Sequence, residues 1–297
     1  MRKPIKLDVK DLNIKDTIGS GQPLTFYSDY LKKNEWELLR YTTEKGVILL
    51  SRKLSEEFIR LDYFGDYSSN SAKKEILKRL GLNIEIKKIY AQINTDNFME
   101  SAVKTLYGMR ITKNEPWEAT VCFLISQFNN IKRIRLIMKN LLEKFGEPYY
   151  IDGKKVMLFP TPEKLSKASI SELMSCGTGF RAKYLKSVST EIKNGFSLDK
   201  LERLEYLDAK NELLGLDGVG DKVADCILLF GYGRYESFPI DVWIKRIMEK
   251  VYMNGENKKI QQIHDLAYEK WGNMAGYAQQ YLYWHGRSLG MENTSSK

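Results

Sequence analysis

Cysteine and histidine are scarce in this chain of 297 residues. Its three cysteines, Cys122, Cys176 and Cys226, are too few and too scattered for a disulfide framework. No C-x-x-C pair occurs, so neither a zinc ribbon nor a four-cysteine iron–sulfur cluster can be assembled. The two histidines, His264 and His285, lie near the end, which argues against a histidine-based zinc centre or a Ser-His-Asp triad. Chemistry is left to Lys, Asp, Tyr or Cys, and neither a metal site nor a cofactor is expected. Long apolar runs are missing too. The longest are pieces such as Ala119–Ile125 and Cys226–Phe230, far short of the ~18 residues of a membrane span. The N-terminal stretch MRKPIKLDVK is basic without an apolar core, so no secretory signal is read there.

What is present is globular in composition: 43% hydrophobic, 12% aromatic and only 7 Pro. At roughly 100–200 residues per domain the length predicts two domains, or one large domain with a subdomain. Lys and Arg number 47 against 38 Asp and Glu, a net charge of +9. A basic chain without a membrane anchor most simply meets a polyanion, and nucleic acid is the commonest.

Short apolar, aromatic and β-branched runs fill the first third: Leu24–Tyr27, Trp36–Tyr41, Val47–Arg52 and Phe58–Tyr63. Turn-like pieces separate them, which predicts an antiparallel sheet, with a helix following over Ser71–Leu80. From about Glu115 the period changes. Trp117, Val121, Leu124 and Phe128 recur on one face of a helix that opens at Pro116. Ile131–Lys144 is a basic amphipathic helix, and further helices are predicted from Pro162 to Lys193 and over Glu202–Gly215, Lys222–Phe230, Val242–Tyr252 and Ala275–Leu289. The expected fold class is α+β: a small N-terminal antiparallel β-sheet domain over 1–110, then a larger all-α domain over 111–297.

The informative segment is Leu216-Asp-Gly-Val-Gly-Asp-Lys-Val-Ala-Asp-Cys226, with helical pattern on both sides. Glycines at 218 and 220 permit unusual φ values and close backbone approach in an inter-helix turn over 216–221. The free N–H groups of such a turn, with the following helix start, form an anion site suited to a phosphate. A nucleotide P-loop is excluded, since Asp221 stands where its lysine must be. A plain structural turn is the other reading of these residues. Lys222 sits at the head of the next helix, and Asp241, after Phe238-Pro239-Ile240, stands at an expected N-cap. The two could converge, and desolvation in a pocket would lower the amine's pKa toward that of a nucleophile. Taken singly, a phosphate contact explains Lys222 and capping explains Asp241. By helical spacing Cys226 shares a face with Lys222, and Gln279 with Tyr283; a buried core thiol and an aromatic core stripe are the plainer readings of Cys226 and Tyr283.

Together these residues resemble the helix–hairpin–helix DNA glycosylase superfamily, and most of the chain looks closest to its 8-oxoguanine DNA glycosylases. The resemblance rests on L-x-G-V-G-x-K-V-A-D-C followed by Pro239-Ile240-Asp241-Val242. It extends to Tyr107–Glu118, Ile125–Arg133, Gly177–Tyr184, Ala275–Gln279 and Ser20-Gly21-Gln22. It implies that Lys222 attacks C1′ of a damaged nucleotide in duplex DNA while Asp241 stabilises the sugar cation. Gly218, Val219 and Gly220 would grip backbone. A flipped base would stack between Cys226 and Tyr283, with Pro239 in the pocket wall, Gln279 on its Watson–Crick edge, and the Gly21 carbonyl accepting from the N7–H that 8-oxoguanine has and guanine lacks. Phe128 would fill the gap left in the duplex as an apolar plug, with Asn129 and Asn130 beside it binding DNA. Phe180 would wedge it, Arg133 and Arg181 would read the orphaned cytosine, and Trp243 would lie against a phosphate.

The chain departs from the family pattern in several places. Phe128 replaces the first of three asparagines, Phe180 a tyrosine and Trp243 a histidine. Pro23-Leu24-Thr25-Phe26 stands where an aromatic-Arg-Trp is usual. The implied activity is bifunctional: excision of 8-oxoguanine opposite cytosine, then cleavage of the abasic site by β-elimination through a Lys222 Schiff base. A monomeric, cytoplasmic protein (nucleoid-associated if bacterial) is expected. The alternatives are a glycosylase for another damaged base, or a helix–hairpin–helix module that only holds DNA.

Overall fold

The computed structural model of the chain describes residues 5–9, 11–22, 26–27, 36–43, 45–53 and 58–291. In the first third the elements are β1 (Ile5–Asp8), α1 (Ile14–Gly19), β2 (Phe26–Tyr27), β3 (Trp36–Thr43), β4 (Gly46–Lys53), β5 (Phe58–Gly65), α2 (Ser69–Arg79), α3 (Ile86–Ile93) and α4 (Asn97–Thr105). The rest comprises α5 (Pro116–Ser126), α6 (Ile131–Phe145), β6 (Glu147–Ile151), β7 (Lys154–Leu158), α7 (Pro162–Lys167), α8 (Ile170–Met174), α9 (Arg181–Lys193), α10 (Tyr206–Leu214), α11 (Asp221–Ile227), α12 (Val242–Tyr252), α13 (Ile260–Trp271) and α14 (Ala275–Ser288).

The predicted runs, joined by β1, which the sequence pattern does not single out, form one antiparallel sheet of order β1-β5-β4-β3-β2. Leu24 and Thr25, predicted as strand, lie outside the described residues. β4 reads Val47-Ile-Leu-Leu50 without polar alternation because both faces of the sheet are covered. Ile48 and Leu50 join Leu7, Ile59, Leu61 and Ile76 in the core beneath α2. Val47, with Leu49 and Phe64, meets Ile151 and Val156 of the β6–β7 hairpin on the other side. That hairpin interrupts a part of the chain whose sequence predicts helices alone. Its two-residue turn, Asp152-Gly153, has positive φ at both positions (46° and 76°), as a turn of type I′ requires.

The remaining helices share the largest core. The stretch read as helical from Pro162 to Lys193 is three helices, α7 to α9, broken at Ala168 and at Gly177 and Gly179. Buried cations tie the sheet to the helices. Arg79 pairs with Glu75 at 2.7 Å and with Glu115, and its guanidinium lies 5.5 Å from the Tyr41 ring centre. Arg110 donates to Ile84 O at 2.6 Å, Gly81 O at 3.2 Å and Asp11 O at 3.2 Å. Buried guanidiniums are tolerable only when their N–H groups are satisfied in this way.

Candidate active site

The 216–221 turn is a tight hairpin between α10 and α11. Gly218 has φ +79°, and a Cβ there would lie 2.4 Å from the Tyr184 ring, so only glycine fits. Gly220 faces open space, and a methyl added there would meet nothing within 4 Å. The turn is held by Val219 N donating to Leu216 O at 3.1 Å and by Gln127 Nε2 donating to Gly218 O at 3.1 Å.

Lys222 follows in the first turn of α11. It is half-buried, its Nζ 3.5 Å from Ser126 Oγ and 5.4 Å from the Phe123 ring centre. Asp241 caps α12 through one oxygen only: Oδ1 accepts from Trp243 N at 3.0 Å and Ile244 N at 2.8 Å. The sequence predicts an amine lowered toward neutrality. Burial pulls the Lys222 pKa down, but the Asp241 carboxylate and a hydrogen bond to the Cys226 sulfur oppose it, and the net direction is upward from the ordinary value. The free protein therefore holds Lys222 as an ammonium. Cys226 is buried, and that burial pushes its thiol up to about 12, so it is uncharged at neutral pH.

The same electrostatics bring the other predicted side chains into the site. The Tyr283 hydroxyl feels both Asp241 and Lys222, with burial the main cause of its raised pKa. Gln279, one turn earlier on α14, is 6% exposed, and its Oε1 is buried with no hydrogen-bond partner. Helix α14 cannot drift: Tyr281 OH donates to Met109 O at 2.8 Å, and Gly276 packs where a Cβ would meet Leu229 at 2.5 Å. Pro239 is buried just before Asp241. Gly21 has φ +78°, and a methyl there would lie 3.0 Å from Ile131 Cδ1 and 3.8 Å from Tyr283 Cε1. The turn containing Gly21 thus borders Tyr283.

Sequence reasoning missed what fixes that turn. Gln22 is buried and donates to Thr17 O at 2.9 Å and Arg110 O at 2.7 Å, while accepting from Thr112 N at 2.7 Å. Gln280 Nε2 donates to Ser20 O at 3.1 Å. It missed Asp225 as well. This residue is fully buried, accepts from Tyr206 OH at 2.5 Å and Lys210 Nζ at 3.1 Å, and lies 3.8 Å from His264 Nε2. Helices α10 and α13 thereby anchor the helix that carries Lys222. An acid inside K-V-A-D-C is the available signal, since a carboxylate between apolar residues needs partners.

The predicted duplex-probing residues cluster at the end of α5. Phe128 is 94% exposed at φ +47°, a conformation rare for a bulky side chain. Its ring lies 6.4 Å from that of Phe180, itself half exposed, and Phe180 packs edge-on to Tyr184. Arg181 is only 4% exposed; its N–H groups go to Gln127 O (Nε, 2.8 Å), Phe128 O (3.1 Å) and Thr178 O (3.2 Å). In the free protein Arg181 holds the two probing loops together, while Arg133 is exposed beside it. Asn130 caps α6, accepting from Arg133 N at 3.0 Å, and Asn129 Nδ2 donates to Ile125 O at 3.1 Å. Trp243 stands at the start of α12, with Arg246 over its ring at 5.1 Å.

Known proteins resemble this chain in sequence and fold. Residues 121–273 match the model of the HhH-GPD superfamily base excision DNA repair proteins, and residues 4–120 match that of the 8-oxoguanine DNA glycosylase N-terminal domain. The chain is 28% identical to the N-glycosylase/DNA lyase of Saccharomyces cerevisiae, over 94% of this chain and 84% of the yeast protein. It is 28% identical to a probable N-glycosylase/DNA lyase of Methanothermobacter thermautotrophicus, over 78% of this chain and 80% of that one. Among solved structures it resembles the Clostridium acetobutylicum 8-oxoguanine glycosylase/lyase in complex with double-stranded DNA containing cytosine opposite 8-oxoguanine. That match has a TM-score of 0.86 and 28% identity, and covers 98% of this chain and 97% of that chain.

Proposed function

The chain belongs to the HhH-GPD superfamily of base excision DNA repair proteins, and from that premise we propose that it excises 8-oxoguanine lying opposite cytosine in duplex DNA and then cleaves the abasic strand. The observation that carries this reading is the convergence of Lys222 with Asp241, Cys226 and Tyr283 behind a glycine turn that leaves Gly220 open. The turn's N–H groups hold a phosphate and draw the damaged nucleotide toward Lys222. Phe128 fills the space it vacates, and Phe180 parts the neighbouring bases. Gln279 Oε1, desolvated and unpaired in the free protein, accepts from the N–H groups of the flipped base's Watson–Crick edge.

Lys222 must first shed its proton. Its Nζ then bonds to C1′ as the C1′–N9 bond breaks, and the base leaves with the electron pair and takes up a proton. The oxygen of Asp241 not engaged in capping faces the developing sugar cation. Opening of the sugar ring gives the imine; loss of a C2′ proton then expels the 3′ phosphate. The Gly21 carbonyl, beside Tyr283, accepts from N7–H of the lesion, and guanine would instead set a lone pair against it, at a cost of about 1–3 kcal/mol. We take the protein to act as a monomer, in the cytoplasm or nucleoid, with the division at 110/111 as its domain boundary; no helix among the described residues is long and apolar enough to cross a membrane. Single-turnover excision on duplexes with 8-oxoguanine or guanine opposite cytosine tests the reading. Excision of the lesion with guanine left intact is the expected result, and equal treatment of the two refutes it.

A further inference from the structure

The loop that carries Phe128 is held by a residue that none of the steps above uses. Helix α5 stops at Ser126, and side chains of the loop itself take its last free carbonyls. Ser126 Oγ donates to Phe123 O at 2.8 Å, Gln127 Nε2 to Leu124 O at 3.2 Å and Asn129 Nδ2 to Ile125 O at 3.1 Å. Gln127 is the C-cap of α5, which puts Phe128 at the next position, where a helix that ends in the left-handed region ordinarily has glycine. A phenylalanine kept at φ +47° with 94% of its surface exposed costs the free protein conformational energy and buries almost nothing in return. Its position is imposed by its neighbours.

Gln127 is the neighbour that reaches furthest. Its side-chain amide also donates to Gly218 O of the glycine hairpin at 3.1 Å. Its backbone carbonyl accepts from Arg181 Nε at 2.8 Å and from Nη2 of the same guanidinium, which extends to Phe128 O at 3.1 Å. Arg181 stands one turn before Tyr184 on α9, and the Tyr184 ring lies against Gly218 and edge-on to Phe180. The contacts close a ring that runs from the hairpin through Gln127, Arg181 and Tyr184 back to the hairpin. Within it the Gln127 amide is the direct tie between the plug and the turn that grips the strand. We propose that Gln127 is a positioning residue for base extrusion: its amide sets Phe128 at a fixed offset from Gly218, so that the ring enters the duplex in register with the strand the hairpin holds. This rests on the reading that the chain extrudes 8-oxoguanine from duplex DNA.

Gln127→Met keeps the length of the side chain and removes its donors. Single-turnover excision at saturating enzyme is measured on two duplexes, one with 8-oxoguanine paired to cytosine and one with the lesion opposite an abasic analogue, where it has no partner and extrusion costs least. The variant should fall by about 10-fold or more on the paired duplex and stay within about threefold of wild type on the unpaired one. The Gln127→Met/Phe128→Ala double variant should fall no further on the paired duplex than Phe128→Ala alone, because Gln127 acts through Phe128. Gln127→Asn keeps the amide but stops short of Gly218 O, so it should repeat the methionine pattern, and it carries the test if the methionine variant does not fold. Equal falls on the two duplexes, no fall on either, or losses that multiply in the double variant overturn the proposal. Wild type separates the two failures. Its failure to excise from either duplex removes the functional reading, whereas normal wild-type excision with equal falls in the variant removes the role of Gln127 alone.

Discussion

Gln279 shows most plainly how a single residue can be built for a ligand. A buried amide carbonyl with no donor costs the free protein about 1–3 kcal/mol, a penalty with no structural return. Replacing it with the similarly sized methionine, Gln279→Met, should leave the melting temperature unchanged or raise it by a few degrees. Excision of 8-oxoguanine should fall by about 10–100-fold; a variant that melts lower and still cuts at the wild-type rate would make Gln279 a core residue and nothing more. Lys222 carries a second prediction. Because its pKa lies above the ordinary lysine value, the free-amine fraction grows about tenfold per pH unit below it. Excision by wild type should therefore rise from pH 6 to pH 9, and a flat or falling profile would contradict an ammonium resting state. At this scale the sequence is readable where chemistry is contiguous. Lys222 and Asp241 lie 19 positions apart in motifs that name them. Gln22 and Asp225 reveal their work only through partners as distant in sequence as Thr112 and His264. The resting charge of Lys222 departs from the sequence expectation because desolvation, which the sequence suggests, is outweighed by the Asp241 carboxylate, which only the fold brings near, together with a hydrogen bond to Cys226 one helical turn away.

Among elements, the glycine hairpin separates folding from function. Gly218→Ala drives a methyl into the Tyr184 ring at positive φ, and should destabilise the protein by about 1–3 kcal/mol while displacing the turn. Gly220→Ala has room and an ordinary φ of −97°, so its melting temperature should match wild type. If a phosphate is to approach the turn closely, that methyl is in its way, and DNA affinity should drop about tenfold, roughly 1.4 kcal/mol. Wild-type affinity for this variant would mean that the turn does not meet the backbone there. Val242–Tyr252, with its clean period and Asp241 cap, is legible in the sequence to the residue. The helix that opens at Pro116 ends at Ser126, so Phe128, read from its spacing as part of that helix's apolar face, instead lies beyond it, exposed and at positive φ. Ile260–Trp271 is not legible, since its lysine- and glutamine-rich surroundings carry only a narrow apolar stripe of Ile263, Ala267 and Trp271. The β6–β7 hairpin has a usable signal in Asp152-Gly153 between tyrosine- and valine-bearing runs, but the helical pattern on either side masks it.

For the whole molecule, the question is whether the sheet and the helices act as one body. Arg79 and Arg110 join them through buried, fully directed contacts, so thermal unfolding should be a single transition. Arg79→Met removes the charged hydrogen bonds to Glu75 and Glu115 and should cost about 2 kcal/mol, lowering the transition by several degrees. A split transition in wild type would show two independent units. The α+β architecture is visible from the change of period near residue 115, but these clamps are not, because a buried arginine looks like any surface arginine until its partners are in place. They matter to function: Gln22 and the backbone of Arg110 fix the Gly21 turn against the 110–112 segment that leads into α5. The proposed chemistry as a whole stands on that lysine. Borohydride trapping on a duplex with one 8-oxoguanine opposite cytosine, with an undamaged duplex and Lys222→Gln alongside, addresses it directly. The predicted result is a covalent complex from wild type on damaged DNA alone, with Lys222→Gln still binding the lesion within a few-fold. Equal trapping of Lys222→Gln, or none by wild type, would contradict it.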